Sequence, residues 1–129
     1  MARIDGACRA VLEATEWVTV ATAGADGPHL SATWGDYVRV LGVDWEAGVV
    51  LIPMGGMART EANLAQGSRV ELMAASRSVA GNSGAGRGCL LRGHGTVEAT
   101  GARAEAVRRT FPWARAALVV RADEVLTLL

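Results

Sequence analysis

The sequence carries no excess of either charge, which limits the partners that it can have. Its 129 residues include 13 basic and 13 acidic side chains, and every basic residue is arginine. Domains that bind nucleic acid usually show a clear basic excess, so this balance argues against a nucleic-acid partner. Near-neutral charge also weakens the repulsion between copies of the chain, which favours self-association.

Residues for metal, disulfide and hydrolytic chemistry are scarce. The two cysteines, Cys8 and Cys89, form no CxxC pair, and the two histidines, His29 and His94, have no carboxylate or cysteine at ligand spacing. This pattern predicts free thiols in a reducing compartment and no metal site. Neither a Ser-His-Asp order nor a pair of carboxylates stands out, so we predict no catalytic side chain.

Long hydrophobic runs are also missing. A membrane helix needs about 18 apolar residues, and no stretch of this sequence reaches that length. Charges interrupt residues 1–14, where a secretory signal needs an apolar core. We therefore expect a cytoplasmic protein with no membrane partner, folded as a single domain over residues 1–129. A chain of this size buries roughly two-thirds of its unfolded surface, enough for a real core.

Short runs of β-branched and aromatic residues between glycine-containing turns make up most of the chain. They predict six or seven strands and three short helices, at about residues 3–15, 58–65 and 102–110. Hairpin-like turns favour a small antiparallel barrel over a doubly wound sheet, which needs a helix between most strands. Eight segments are candidates for these six or seven strands, namely residues 17–22, 29–34, 37–41, 49–54, 69–76, 89–99, 114–120 and 124–129.

Two glycine-containing segments give finer predictions. Gly35-Asp36 suggests a bulge or bend between two strands. Residues 80–88, AGNSGAGRG, lack the GK[ST] ending of a P-loop and run into a strand, so they also fail the dinucleotide fingerprint. We predict that they form a mobile surface loop.

Residues 51–64, LIPMGGMARTEANL, carry the clearest local indication of a ligand site. Pro53 ends or edges a buried strand, and the Gly55–Gly56 pair allows a sharp turn and a close approach to the backbone. The helix that follows would begin with a guanidinium and a hydroxyl, from Arg59 and Thr60, beside its free N–H groups. That combination can bind a phosphate. The alternative is an ordinary strand–turn–helix connection with a solvated arginine.

The six aromatic residues suggest a second part of such a site. Trp34 and Tyr37 lie near the predicted bend, and Trp113 lies at a helix-to-strand junction. Core packing is one interpretation, and the lining of a pocket for a flat aromatic ligand is the other. Joined to a phosphate seat in which Thr33 also takes part, the pattern fits FMN or pyridoxal phosphate. The residues alone leave that choice open.

Several segments match a known family, in the same order and over nearly the whole chain. They are DGPHL at 26–30, TW at 33–34 with Tyr37, PMGGMARTEAN at 53–63, SRSVAG at 76–81, LLRG at 90–93 and WARAALV at 113–119. With them the chain resembles the small FMN-binding proteins of sulfate-reducing bacteria, within the pyridoxamine 5′-phosphate oxidase-like superfamily. The resemblance implies a split β-barrel of Greek-key type, a homodimer, and one FMN per subunit near the dimer interface.

The resemblance also implies the parts of FMN that particular residues meet. The residues implied for the phosphate are Thr33, Arg59 and Thr60. Those whose backbone would lie against the ring are Pro53, Gly55 and Gly56. The aromatic side chains that would surround the isoalloxazine are Trp34, Tyr37 and Trp113.

Three further positions complete this comparison with the family. Leu129 matches the last residue of a relative in this family and would reach the partner subunit's flavin. Ala32 stands where the relative has asparagine, which removes or moves one polar contact. Arg59 stands where it has lysine, and arginine keeps the charge and adds a bidentate fork.

These observations lead to an expected function and its alternatives. We expect an FMN-binding flavoprotein, an electron carrier or small oxidoreductase that works with an unknown redox partner protein. One alternative is an enzyme, either a flavin reductase or a pyridoxamine phosphate oxidase. A nicotinamide site for the first and a C-terminal substrate segment for the second are not recognisable. The other alternative is a split barrel that binds a ligand without redox chemistry.

Overall fold

The computed structural model describes residues 2–129, so Met1 of the predicted domain lies outside the described residues. These residues form seven strands and four helices. The strands are β1 (Trp17–Gly24), β2 (Gly27–Trp34), β3 (Val43–Asp44), β4 (Val49–Met54), β5 (Val70–Ala80), β6 (Ala85–Glu98) and β7 (Ala116–Leu128). The helices are α1 (Gly6–Ala14), α2 (Gly35–Leu41), α3 (Ala58–Ala65) and α4 (Ala102–Thr110).

All seven strands belong to one antiparallel sheet with the order β2-β1-β5-β6-β7-β4-β3. The predicted mainly-β antiparallel architecture is therefore confirmed. β7 joins the two halves of the sheet, because it pairs with β6 along its length and with β4 near its start. The register between β6 and β7 shifts at Gly93, where an added Cβ would run into the Arg121 carbonyl. Only glycine fits this close approach of two backbones.

The hydrophobic core lies between the inner face of the sheet and α1. Helix α1 buries Cys8, Val11 and Leu12 against the sheet, and Ile4 just before it is also buried. The helix lies within the predicted residues 3–15. The strands contribute mainly aliphatic side chains from alternate positions, namely Val18, Val20, Val50, Ile52, Val70, Leu72, Leu91, Leu118 and Val120.

The predicted strand at residues 37–41 is wrong, because these residues form helix α2. The predicted bend at Gly35-Asp36 is instead the first turn of that helix. Gly35 packs against the Thr15 carbonyl at a place that a Cβ would occupy, and Arg39 Nη1 donates to the Leu12 and Thr15 carbonyls at 3.1 and 2.7 Å. A short alternating segment is compatible with either structure, and here tertiary contacts favour the helix.

The other helix and strand boundaries differ less from the predicted ones. The two predicted C-terminal strands are one continuous strand, β7, and the predicted loop at residues 80–88 shrinks to a tight turn because β6 begins at Ala85. The Gly81 N–H closes that turn on the Gly84 carbonyl at 2.8 Å. Helices α3 and α4 have the predicted bounds. None of the helices formed by residues 2–129 is long and apolar enough to span a membrane.

Candidate functional site

A cavity of about 390 Å³ opens where segments that are distant in sequence meet. They are the start of β1, the end of β2, the first turn of α2, the β4–α3 connection and the segment after α4. The lining residues are Trp17, Ala32, Thr33, Trp34, Tyr37, Pro53, Gly55, Gly56, Met57 and Trp113. Eight of these ten are among the predicted site residues, so the fold brings most of the predicted set together.

Aromatic side chains form the walls of this cavity, which we call the aromatic cavity. Trp17 meets Trp34 edge to face, with ring centroids 5.2 Å apart, and Tyr37 lies 5.9 Å from Trp113. The three tryptophans are 50%, 45% and 52% exposed for Trp17, Trp34 and Trp113. Single scattered aromatic residues are an ordinary surface feature. Half-exposed rings grouped around one opening, in contrast, offer apolar surface to a partner.

Arg115 holds the connection that forms the floor of the aromatic cavity. Its guanidinium donates to the Gly55 carbonyl at 3.1 Å and to the Gly56 carbonyl at 2.7 Å, and it pairs with Glu61 at 2.8 Å. Its backbone N–H donates to the Met54 carbonyl at 2.8 Å. These bonds fix the path of the loop before anything binds to it.

The two glycines in this connection leave room for neighbouring atoms, and neither has a positive φ angle. A Cβ on Gly55 would press on the Trp113 ring at 3.2 Å, whereas a Cβ on Gly56 would stand in open space. The left-handed residue is Met57, with φ of 62°, and it precedes the first turn of α3. The expected sharp turn thus falls one residue later than the glycine pair.

The two side chains predicted for the phosphate seat at the start of α3 differ in their contacts. Arg59 turns to the β1–β2 hairpin, where its Nη2 meets Asp26 Oδ2 at 2.8 Å, and it lines a separate cavity of about 220 Å³. Thr60 is fully buried, and its hydroxyl has no hydrogen-bond partner among residues 2–129. Neither residue lines the aromatic cavity.

Leu129 also lies outside the aromatic cavity. It borders a cavity of about 440 Å³ beside the β5–β6 turn, and its carbonyl accepts the Asn82 N–H at 2.7 Å. Leu129 therefore does not border the aromatic cavity of its own chain. The resemblance placed this residue at the partner subunit's flavin, and that placement stays a prediction.

Three residues of this region were missed by the sequence reasoning. Trp17 and Met57 line the aromatic cavity, and Arg115 holds its floor. A signal existed for Trp17, since a β1–β2 hairpin places it directly opposite Trp34. Arg115 gave no such signal, because its acceptors are backbone carbonyls about sixty residues away.

Comparisons with known proteins agree on one family. The pyridoxamine 5′-phosphate oxidase family model matches residues 4–128. A curated relative from Nitratidesulfovibrio vulgaris strain Miyazaki F, named FMN-binding protein, is 47% identical over 103 residues, which is 80% of this chain and 80% of the relative.

Solved structures show the same fold at lower identity. A HupZ variant from Group A Streptococcus has a TM-score of 0.75 at 16% identity, covering 97% of this chain and 99% of that one. A Clostridium acetobutylicum protein of the pyridoxinephosphate oxidase family has a TM-score of 0.64 at 17% identity, covering 93% and 89%. These likenesses confirm the predicted split-barrel fold.

Proposed function

The chain belongs to the pyridoxamine 5′-phosphate oxidase family, and on that premise we propose that it binds FMN and carries electrons on it. The observation that carries this proposal is the aromatic cavity, in which eight predicted site residues meet. The name of the 47% identical relative, FMN-binding protein, supports this choice of cofactor over pyridoxal phosphate. The proposal treats residues 1–129 as one FMN-binding domain.

The residues around the aromatic cavity fit a flat ring system. Trp34 and Trp113 present half-exposed rings, and the open space at Gly56 lets a planar group lie close to the backbone. The volume of the aromatic cavity, about 390 Å³, is in the range of cavities that hold small ligands. Thr33, at the end of β2, and Tyr37 add hydroxyl groups to a mainly apolar wall.

The start of α3 fits a phosphate. No side chain caps this helix, so its first N–H groups are available, and Arg59 stands in its first turn. The Thr60 hydroxyl is buried without a partner in the described chain, an arrangement that costs free energy until an acceptor or donor reaches it. A phosphate at this position would supply the missing acceptor.

The residues of the aromatic cavity favour electron transfer over substrate turnover. FMN, when bound, supplies one- and two-electron redox chemistry, while the protein binds it, orients it and sets its surroundings. The ten lining residues include no carboxylate, histidine or arginine. Tyr37 carries the one ionisable side chain among them. Because the cavity offers no carboxylate or imidazole for proton transfer to a substrate, we propose a redox partner protein in place of a small substrate.

We also propose a homodimer that uses the outer face of the sheet. Trp17, Met73, Leu126 and Leu128 are 50%, 47%, 37% and 37% exposed, and they stand on β1, β5 and β7. The strand register places Met73 beside Leu90 and Leu90 beside Leu126, which makes one apolar strip across the sheet. An apolar face of this breadth is typical of an interface. It meets the aromatic cavity at Trp17, so a second copy would cover the cavity.

The first experiment is the visible absorption spectrum of the freshly purified protein, followed by chromatography of the chromophore released on denaturation. We expect a yellow protein that releases FMN at one per chain and is bleached reversibly by dithionite. A colourless protein that takes up no added FMN would overturn the proposal. A bound flavin that resists reduction would leave FMN binding in place and overturn the electron-carrier role.

The dimer has its own test. Sedimentation of the wild-type protein should give twice the chain mass, and Met73→Glu should shift the equilibrium to the monomer by placing a charge in the apolar strip. Glu124→Gln is the control and should remain dimeric, because Glu124 stands opposite Arg92 in the β6–β7 register and outside the apolar strip. A wild-type monomer would contradict the proposed interface.

A further inference from the structure

The two cysteines lie together in the core although they are far apart in sequence. Cys8 is on α1 and Cys89 is on β6, and each is 1% exposed. The Cys8 thiol donates to the Leu126 carbonyl at 3.2 Å, and Leu126 pairs across the β6–β7 ladder with Leu90, the neighbour of Cys89. Cys8 therefore stands directly over the part of β6 that carries Cys89.

The surroundings make the two thiols chemically unequal. The hydrogen bond from the Cys89 thiol lowers the pKa of Cys8, and the Leu90 backbone and the Arg87 charge act in the same direction against the effect of burial. The same contact with Cys8, together with burial, raises the pKa of Cys89. Because the thiolate is the nucleophile, this difference favours Cys8 as the first sulfur to react.

We propose that Cys8 and Cys89 form a second redox centre, separate from the aromatic cavity, in which a hydroperoxide oxidises the buried dithiol to a disulfide that ties α1 to β6. The inference does not depend on FMN binding, since neither cysteine lines the aromatic cavity. Cys8 already stands over the part of β6 that carries Cys89, so the reaction needs no change of fold.

The chemistry balances with hydrogen peroxide as the oxidant. The Cys8 thiolate attacks one peroxide oxygen, the O–O bond breaks, and the leaving hydroxide takes a proton to become water, which leaves Cys8 as a sulfenic acid. The Cys89 sulfur then attacks the Cys8 sulfur, the S–O bond breaks, and the second oxygen leaves as water with the Cys89 proton. The two thiols lose two electrons, and the peroxide is reduced to two waters.

Access to the thiols is through α1. This helix has nine residues and no side-chain N-cap hydrogen bond. Both thiols are buried where α1 packs on the sheet, so peroxide reaches them when this helix opens locally. Hydrogen peroxide is small and uncharged, which suits a site reached by brief opening.

The test compares reduced protein with protein treated with hydrogen peroxide, quenched with catalase, denatured and alkylated. We expect a mass lower by two hydrogens, loss of both alkylation sites together, and a peptide that links Cys8 to Cys89 until dithiothreitol is added. The melting temperature should rise by roughly 10 °C, because the bond closes a long loop in the unfolded chain. Two thiols that remain fully alkylated after peroxide would overturn the proposal, and so would disulfides formed only between chains.

Two variants test the order of the steps. Cys89→Ala should stop at the sulfenic acid, which dimedone traps as one adduct on Cys8. Cys8→Ala should leave Cys89 unoxidised over the same time, and a dimedone adduct on Cys89 at the wild-type rate would contradict the assigned order. Both variants should take up FMN as the wild type does, which separates failure of this inference from failure of the proposed function.

Discussion

The two ends of the candidate FMN site differ in what the protein already places there. At the ring end, the aromatic cavity is open, and Arg115 fixes the loop that forms its floor. At the phosphate end, Arg59 is paired with Asp26, and Thr60 is buried. In the proposed placement of FMN, the ring end is formed in advance, whereas at the phosphate end Arg59 has to exchange its contact with Asp26 for one with the cofactor.

This difference assigns separate roles to the two ends. A preformed apolar cavity contributes affinity because little order is lost when the ring enters it. The Arg59–Asp26 pair is exposed to solvent on both sides, and exposed pairs are weak, so a phosphate dianion can compete with the carboxylate for the guanidinium. The ring end should therefore respond to steric changes and the phosphate end to changes in charge.

The largest effect should come from filling the ring end. Gly56→Leu places a branched side chain in the open space beside the cavity floor, where a Cβ alone meets nothing within 4 Å. We expect FMN affinity to fall by more than about 100-fold, because the side chain occupies the volume that the ring needs. Fluorescence titration of the apoprotein with FMN measures this loss.

Gly56→Ala is the matched control for that variant. Its single Cβ fits the open space, so FMN affinity should stay close to that of the wild type. Circular dichroism and thermal melting should show that both variants fold. Full FMN binding by a folded Gly56→Leu protein would show that the ring lies elsewhere.

The next effect should come from removing charge at the phosphate end. Arg59→Ala should weaken FMN binding roughly 10- to 100-fold, the usual loss for one charge-assisted hydrogen bond. Arg59→Lys keeps the charge and should lose much less. Riboflavin lacks the phosphate, so its affinity should not change in either variant, and titration with both flavins isolates the phosphate contact.

Arg103→Ala controls for the change in net charge. Arg103 is on α4, where it pairs with Glu98 at 2.8 Å, and it lines neither the aromatic cavity nor the cavity beside Arg59. Its removal should leave FMN affinity as it is. An equal loss in Arg103→Ala and Arg59→Ala would mean that general charge, and not a contact with Arg59, attracts the cofactor.

The sequence predicted best those parts of the structure that depend on interactions between residues close together in the chain. Helices α3 and α4 have the predicted bounds because composition and turn residues determine them locally. Helix α2 was missed because it depends on Arg39 reaching carbonyls near residue 15, which no local pattern shows. In the site, seven of the eight predicted residues that meet at the cavity were suggested by their own sequence segments as well as by the family resemblance, and the resemblance alone added Ala32. Arg115 acts through backbone groups and left no pattern to recognise.

The smallest expected effect tests the difference between the ring end and the phosphate end most directly. Asp26→Asn removes the carboxylate that now holds Arg59 and leaves the rest of the β1–β2 hairpin unchanged. FMN affinity should rise roughly two- to fivefold, because an exposed ion pair no longer has to be broken, while riboflavin affinity stays constant. Asp123→Asn, which removes a carboxylate paired with Arg69 and His94, is the charge-matched control and should leave FMN affinity unchanged. Weaker FMN binding in Asp26→Asn would mean that Asp26 orients Arg59 toward the phosphate, and then the phosphate end would be as preformed as the ring end.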